Sequence, residues 1–338
     1  MPTNTNQSIL EILKFVKGGV SRKDHLPVLQ HFCIRNSEIQ SGNGIISLSS
    51  PIPLALDCNP LASPFISAIG ACEELDAIPA LSLQKNGKLR LVAGKLRINV
   101  DCSPDEYPRI MPEGTYIDLQ SGLLKAFTVL EPMVGEDASR PWARGILVRD
   151  GSAYATNNVV IGQYWLGWKF SFDVNIPDEC IREIVRIKRE PCGLQASERS
   201  ITFHYDDGRW IRSQLLTTEW PNIEPVLDRA SSACALPSDF FDALNYLEPY
   251  CDPHRSIHFL NDRTLATHLQ EHSGATFELA TSLSTEDVRG RYNIDQLRYL
   301  EGLMAVCDWT LYPAPALFYG SNNLSQFRGA IVGMKELA

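Results

Sequence analysis

Apolar residues recur at intervals of three and four in six short stretches of the chain, and alternate with polar ones in between. Ile9, Ile12, Leu13 and Val16 share one face of a helix predicted over 7–17. Ile181, Ile184 and Val185 do the same over 178–189. Further helices are predicted over 62–75, 121–133, 238–248 and 294–304. Ser238 and Asp239 suit the cap of the fifth helix, and Asp178, after Pro177, that of the fourth. Period-two alternation predicts the strands. Leu89 and Leu91 run toward a turn near Gly94, and Leu96, Ile98 and Val100 leave it. Ile146 and Val148 approach the turn Asp150-Gly151, and Tyr154 and Thr156 follow it. Asp206-Asp207-Gly208 reads as another hairpin turn, and Gly329-Ala330-Ile331-Val332 as a last strand.

This pattern repeats. Residues 86–110 and 197–223 each hold an alternating strand, a Gly-containing turn, a second alternating run and an aromatic-Pro-x-Ile close. The closes are Tyr107-Pro108-Arg109-Ile110 and Trp220-Pro221-Asn222-Ile223. The chain thus divides into thirds at 1–114, 115–229 and 230–338, each ordered helix, strands, helix, strands. That order predicts an α+β protein with antiparallel sheets, the short helices covering them with their apolar stripes.

Composition adds limits. The 338 residues are 44% hydrophobic and 21% charged, which suits globular domains with real cores. No run approaches the roughly 18 apolar residues a membrane helix needs. The opening MPTNTNQS lacks a secretory pattern, so a cytoplasmic protein with no membrane partner is expected. Nine cysteines include no C-x-x-C pair, and are read as mostly buried thiols in a reducing compartment. A net charge of -9 argues against a protein that grips phosphates over its whole surface.

Catalytic patterns are weak. His254 and His258 are four apart near Asp252, but Pro253 and the strand-like run Ile257-His258-Phe259-Leu260 oppose a helical metal site. There is no phosphate-binding Gly-rich loop and no G-x-S-x-G elbow. No cofactor is implied.

Four stretches carry a family resemblance. Arg22-Lys23-Asp24-His25-Leu26-Pro27-Val28-Leu29 resembles a basic-x-x-x-Leu-Pro-Ile-Leu segment. Ala155-Thr156-Asn157-Asn158-Val159-Val160-Ile161 is similar to an Ala-Thr-Asp-Gly-His-Arg-Leu strand. Trp220-Pro221-Asn222-Ile223 is similar to a Phe-Pro-Asp-Tyr segment, and Ile331-Val332-Gly333-Met334-Lys335 to a terminal Val-Met-Pro-Met-Arg. Together they resemble the bacterial-type sliding clamp, the beta subunit of DNA polymerase III. The resemblance implies a DNA clamp fold of three similar domains, each with two helix-plus-strands repeats. Two chains would close head to tail into a homodimeric ring. It implies a processivity factor that encircles double-stranded DNA, with DNA polymerase and a clamp loader as partners and no chemistry of its own. A ring held by topology also tolerates an acidic total.

Carried onto this sequence, the family's partner-peptide cleft falls on Thr156, Asn158, Ile161, Pro221, Val226, Val332, Gly333 and Met334. That mostly apolar set suits either a peptide groove or ordinary packing. Gly333 replaces a family proline and predicts a looser end. Asn157 to Val160 lacks the family's charges, which suits a divergent member, such as one from a phage. The family's inner helices offer basic residues to phosphates. The spacing of Arg182, Arg186 and Arg189 puts them on one helix face, which fits that role or a plain solvated surface. Lys14, Lys17, Arg22, Lys23, Lys125 and Arg298 are the other candidates. The helices at 62–75 and 238–248 carry no Lys or Arg, so the lining is expected to be patchy. Subunit edges are expected in the runs 94–101 and 276–283. A clamp-like adaptor for transcription or repair proteins, and an enzyme on a repeated α+β scaffold, are the competing functions.

Overall fold

The computed structural model describes residues 8–22, 26–170, 173–269 and 274–335. Seven α-helices are found among them. They are α1 Ile9–Val16, α2 Ala62–Glu74, α3 Leu123–Leu130, α4 Asp178–Ile187, α5 Glu224–Leu227, α6 Phe240–Leu247 and α7 Ile294–Arg298. Six lie where apolar periodicity predicts helices; α5 is a single turn after Pro221-Asn222. Ser8 caps α1 in a capping box. Its Oγ accepts from Glu11 N at 3.2 Å, and Glu11 accepts from Ser8 N at 3.3 Å. The cap expected of Ser238 or Asp239 does not form. Asp239 stands at the N-cap of α6, but its carboxylate accepts from Ala280 N at 2.9 Å, so a backbone amide distant in sequence takes the acceptor from its own helix. The sixth predicted helix stops at Arg298, and turns containing the left-handed Gly302 replace its second half.

The chain forms two compact units. The first holds residues 1–124 and 179–215; the second holds 125–178 and 216–338. In the first unit a seven-stranded antiparallel sheet runs Cys33–Arg35, Glu38–Gly42, Ile46–Pro51, Trp210–Gln214, Ser200–His204, Gly193–Ala196, Thr115–Asp118. Its central pairing sets Ile211 opposite Leu48, joining strands more than 150 residues apart. Beside it lies a three-stranded sheet of Ala80–Leu83, Leu89–Ala93 and Leu96–Val100. Leu89 faces Val100 and Leu91 faces Ile98, the register that the alternation around Gly94 demands. Leu96–Val100 is an edge strand.

The second unit has an eight-stranded sheet in which Val160–Trp165 pairs with Phe327–Ile331. Its hairpin Gly145–Arg149 to Ser152–Thr156 turns on Asp150 and Gly151, with φ of +49° and +78°. Positive φ at both central positions fits the right-handed strand twist. A four-stranded sheet runs Thr276–Glu278, Thr264–Ala266, Ser256–Phe259, Gly290–Asn293, leaving Thr276–Glu278 at an edge. Trp309 is buried against Phe240, Phe259 and Tyr292, and this aromatic cluster fills the core behind α6. No helix among the described residues is long and apolar enough to cross a membrane.

Candidate peptide groove and basic face

In the second unit an apolar surface is left only partly covered. Its floor is Ile223, Leu227, Leu317 and Ala330, all buried. Tyr154, Ile161, Trp220, Val226, Leu311 and Tyr319 pack on that floor but keep part of their surface open. The single turn α5 presents Val226 and Leu227 together, and Asn222 holds its start by accepting from Glu224 N at 3.1 Å. Trp220 stands edge-on to Trp142, ring centroids 5.2 Å apart, and its Nε1 has no partner among the described residues. Arg328 fixes one wall. It donates to Gln163 Oε1 at 2.6 Å, Leu227 O at 3.1 Å and Asp228 Oδ1 at 2.8 Å.

The eight predicted cleft residues separate into three groups. Ile161 and Val226 belong to this apolar surface, with the exposed Pro221 next to Trp220. Thr156 is buried and builds the turn before Val160: its Oγ1 donates to Val160 O at 2.7 Å and accepts from Asn158 N at 3.0 Å. Asn158 itself has φ +73°. Val332, Gly333 and Met334 form an extended end that follows the strand Phe327–Ile331. Val332 N donates to Val159 O at 2.8 Å, Met334 N to Arg291 O at 2.6 Å, and the Tyr312 hydroxyl to Met334 O at 2.8 Å. The looseness expected of Gly333 is not found. A Cβ there would stand 2.6 Å from two Tyr312 ring carbons, so the missing side chain lets the end lie flat on that ring. Glycine here permits close approach, not slack.

The basic candidates also separate. Lys14, Lys17 and Arg22 are exposed and, with Arg186 and Glu183, line a concavity of about 500 Å³ in the first unit. Arg186 is engaged by the fold: it donates to Lys14 O at 3.2 Å, Phe15 O at 3.0 Å and Glu183 at 2.7 Å. Arg189 pairs with Asp206 and, at 2.6 Å, with Asp207. Arg182 is exposed. Lys125 donates to Asn323 O at 3.1 Å, and Arg298 pairs with Glu248. Lys23 lies outside the described residues. Two of the three arginines that share this spacing thus tie elements of the fold together. The His254, His258 and Asp252 trio does not converge: Asp252 Oδ2 takes Ser256 Oγ at 2.6 Å and Arg291 at 3.3 Å, and His258 is buried in its strand. No cluster of three or more metal-ligating side chains occurs among the described residues.

No family model and no curated protein matches the chain. Solved structures match it from end to end. The DNA polymerase III beta chain of Streptococcus pneumoniae superposes with a TM-score of 0.83 at 17% identity, covering 97% of each chain. The chain has the beta sliding-clamp fold. A DNA polymerase sliding clamp of Pseudomonas aeruginosa, solved with a ligand, gives 0.82 at 17% identity over 97% of this chain and 98% of that one. The Helicobacter pylori beta clamp, solved bound to a DNA ligase peptide, gives 0.79 at 14% identity over 97% of each. At such identities the likeness fixes the path of the backbone and not the roles of the side chains.

Sequence reasoning missed the residues that make the clamp-fold chain's apolar surface continuous: Tyr154, Trp220, Leu317, Tyr319 and Ala330. The signal was present in part. Ala316-Leu317-Phe318-Tyr319 alternates as a strand, and an aromatic beside Pro221 is a natural wall. Arg328, far in sequence from its partners Gln163 and Asp228, offered none.

Proposed function

We propose that the chain is a DNA polymerase processivity factor. Two copies would close into a ring around duplex DNA, opened by a clamp loader, and each copy would tether polymerase through a short apolar peptide. The observation that carries this reading is the likeness in fold over 97% of both chains at a TM-score of 0.83. In it, the thirds 1–114, 115–229 and 230–338 are the three clamp domains. The edge strands Leu96–Val100 and Thr276–Glu278 offer unpaired backbone for the subunit contact. Lys14, Lys17, Arg22 and Arg182 are exposed cations suited to phosphates, which position a protein without reading sequence. With Glu73 and Glu74 exposed on α2 and no base on α6, the DNA contact is weak and the salt dependence shallow. The half-covered surface around Ile161, Trp220 and Val226 supports the peptide tether. The chain needs no catalysis for this: encirclement alone raises the polymerase's effective concentration at the primer end.

Solution mass and retention on DNA test the proposal together. A ring-shaped particle of about twice 37.7 kDa, kept on nicked circular DNA and lost when the circle is cut, is the expected result. A compact monomer that leaves both forms of DNA equally fast overturns it. A ring that is retained but gives no increase in polymerase run length identifies the adaptor instead.

A further inference from the structure

Three of the nine cysteines converge on one ladder of the first unit. Cys33 opens the strand Cys33–Arg35. Ile34 and Cys58 form an isolated antiparallel bridge, exchanging backbone hydrogen bonds of 3.0 and 3.2 Å. On the other side, Asn59–Pro60 pairs with Cys102–Ser103, with Pro60 opposite Cys102. Cys58 is two residues before Pro60, so its side chain shares a face with that of Cys102 and sits on the diagonal from it. The two thiols are near enough to shift one another's pKa, Cys58 upward and Cys102 downward, and the Cys102 sulfur also lies 3.9 Å from Val100 O. Both residues line a surface concavity of about 250 Å³, together with the ion pair of Arg35 and Asp57.

Buried thiols usually serve as small apolar side chains, and Cys33 and Cys72 fit that use. Cys102 does not. It is only partly buried, it opens on the concavity, and Cys58 and the Leu89 backbone draw its pKa down. A partly exposed thiol of lowered pKa beside a second thiol is the arrangement that oxidants find.

We propose that Cys58 and Cys102 close a reversible disulfide when the protein meets a hydroperoxide or a small-molecule disulfide. With a hydroperoxide, the Cys102 thiolate attacks the terminal oxygen and the O–O bond breaks, releasing an alkoxide or hydroxide that takes up a proton. Cys102 is left as a sulfenic acid. The Cys58 sulfur then attacks the Cys102 sulfur, its proton leaves with the hydroxyl as water, and the S–S bond forms. Two thiols give up two protons and two electrons, and the peroxide accepts both. With a small disulfide, Cys102 first forms the mixed disulfide and Cys58 displaces the small thiol. The bond closes a loop that contains α2 and the whole three-stranded sheet, including its edge strand Leu96–Val100. Oxidation therefore ties both ends of that segment and suppresses its local opening.

The test uses the intact reduced protein, treated with hydrogen peroxide or with glutathione disulfide, then alkylated and digested without reductant. Mass mapping is expected to find the Cys58 and Cys102 peptides joined, lighter by two hydrogens, and separated again by dithiothreitol. Amide exchange between them should slow on oxidation. The substitution Cys102→Ser should leave Cys58 alkylated. Recovery of Cys102 as a stable glutathione adduct or sulfinic acid with Cys58 free, or a link from either residue to Cys33, overturns the proposal. So does a link that forms only in denaturant. Mapping the unmutated chain decides the matter even where the variant does not fold.

Discussion

Arg186→Ala separates the two uses of the α4 arginines. Arg186 donates to the carbonyls of Lys14 and Phe15, in the last turn of α1, at 3.2 and 3.0 Å. It also holds Glu183, which packs over Gly18 so closely that a Cβ there would meet its carboxylate at 2.0 Å. A hydrogen bond from a charged donor is worth about 1.5–3 kcal/mol when solvent is excluded. The Arg186 side chain is 43% exposed, so water competes for it and about 1 kcal/mol for each carbonyl is the better value. The exposed pair with Glu183 adds a few tenths at most. Removing the side chain should therefore cost about 2 kcal/mol, seen as roughly 30-fold faster amide exchange in α1 under native conditions. Exchange is the right assay because a chain of two compact units need not unfold in one step. Arg182→Ala, at an exposed position, should lower the slope of DNA affinity against salt by about one unit. If Arg186→Ala leaves α1 exchange within about twofold of the parent, the claim that this arginine serves the fold is wrong.

Other substitutions probe other contacts. Gly333→Ala should cost about 1–3 kcal/mol by forcing Tyr312 off the chain end, with the released end showing as new protease cleavage after Val332. Glu190→Gln weakens a carboxylate that accepts from the amides of Gly122, Leu123 and Leu124 at 2.8–3.3 Å; a loss of about 1 kcal/mol in denaturant unfolding is expected. Hydrogen bonds from Arg255 hold the Asp295 carboxyl below the usual aspartate range. Its stabilisation is thus complete above about pH 4 and fades as the pH falls through the lowered folded value. Asp295→Asn should flatten that part of the acid limb of stability against pH. Trp220→Ala should weaken binding of an apolar, glutamine-containing peptide at least tenfold by fluorescence anisotropy while leaving circular DNA retention unchanged.

The local features were legible because their causes are local. Turn chemistry at Gly94 and Asp150-Gly151 set the two hairpin registers, since positive φ and period-two alternation need only neighbouring residues. Six helices announced themselves through apolar spacing, and the order of the pattern carried the resemblance to a clamp. The apolar surface was legible only in pieces, Ile161 from one strand and Val226 from one turn, because Leu317 and Ala330 reach it across a sheet.

What the sequence by itself determined is thus the set of elements, their faces and their order. Tertiary structure alone decided what each side chain does there. It pairs Ile211 with Leu48, spends Arg186 and Arg189 on the fold, gives the carboxylate of Asp239 to a distant backbone amide, turns Gly333 into a close approach and sets Cys58 and Cys102 on one concavity. The physical reason is common to all of these. Each depends on a partner distant along the chain, and a charge, a thiol or a missing Cβ has no periodicity by which a sequence reveals that partner.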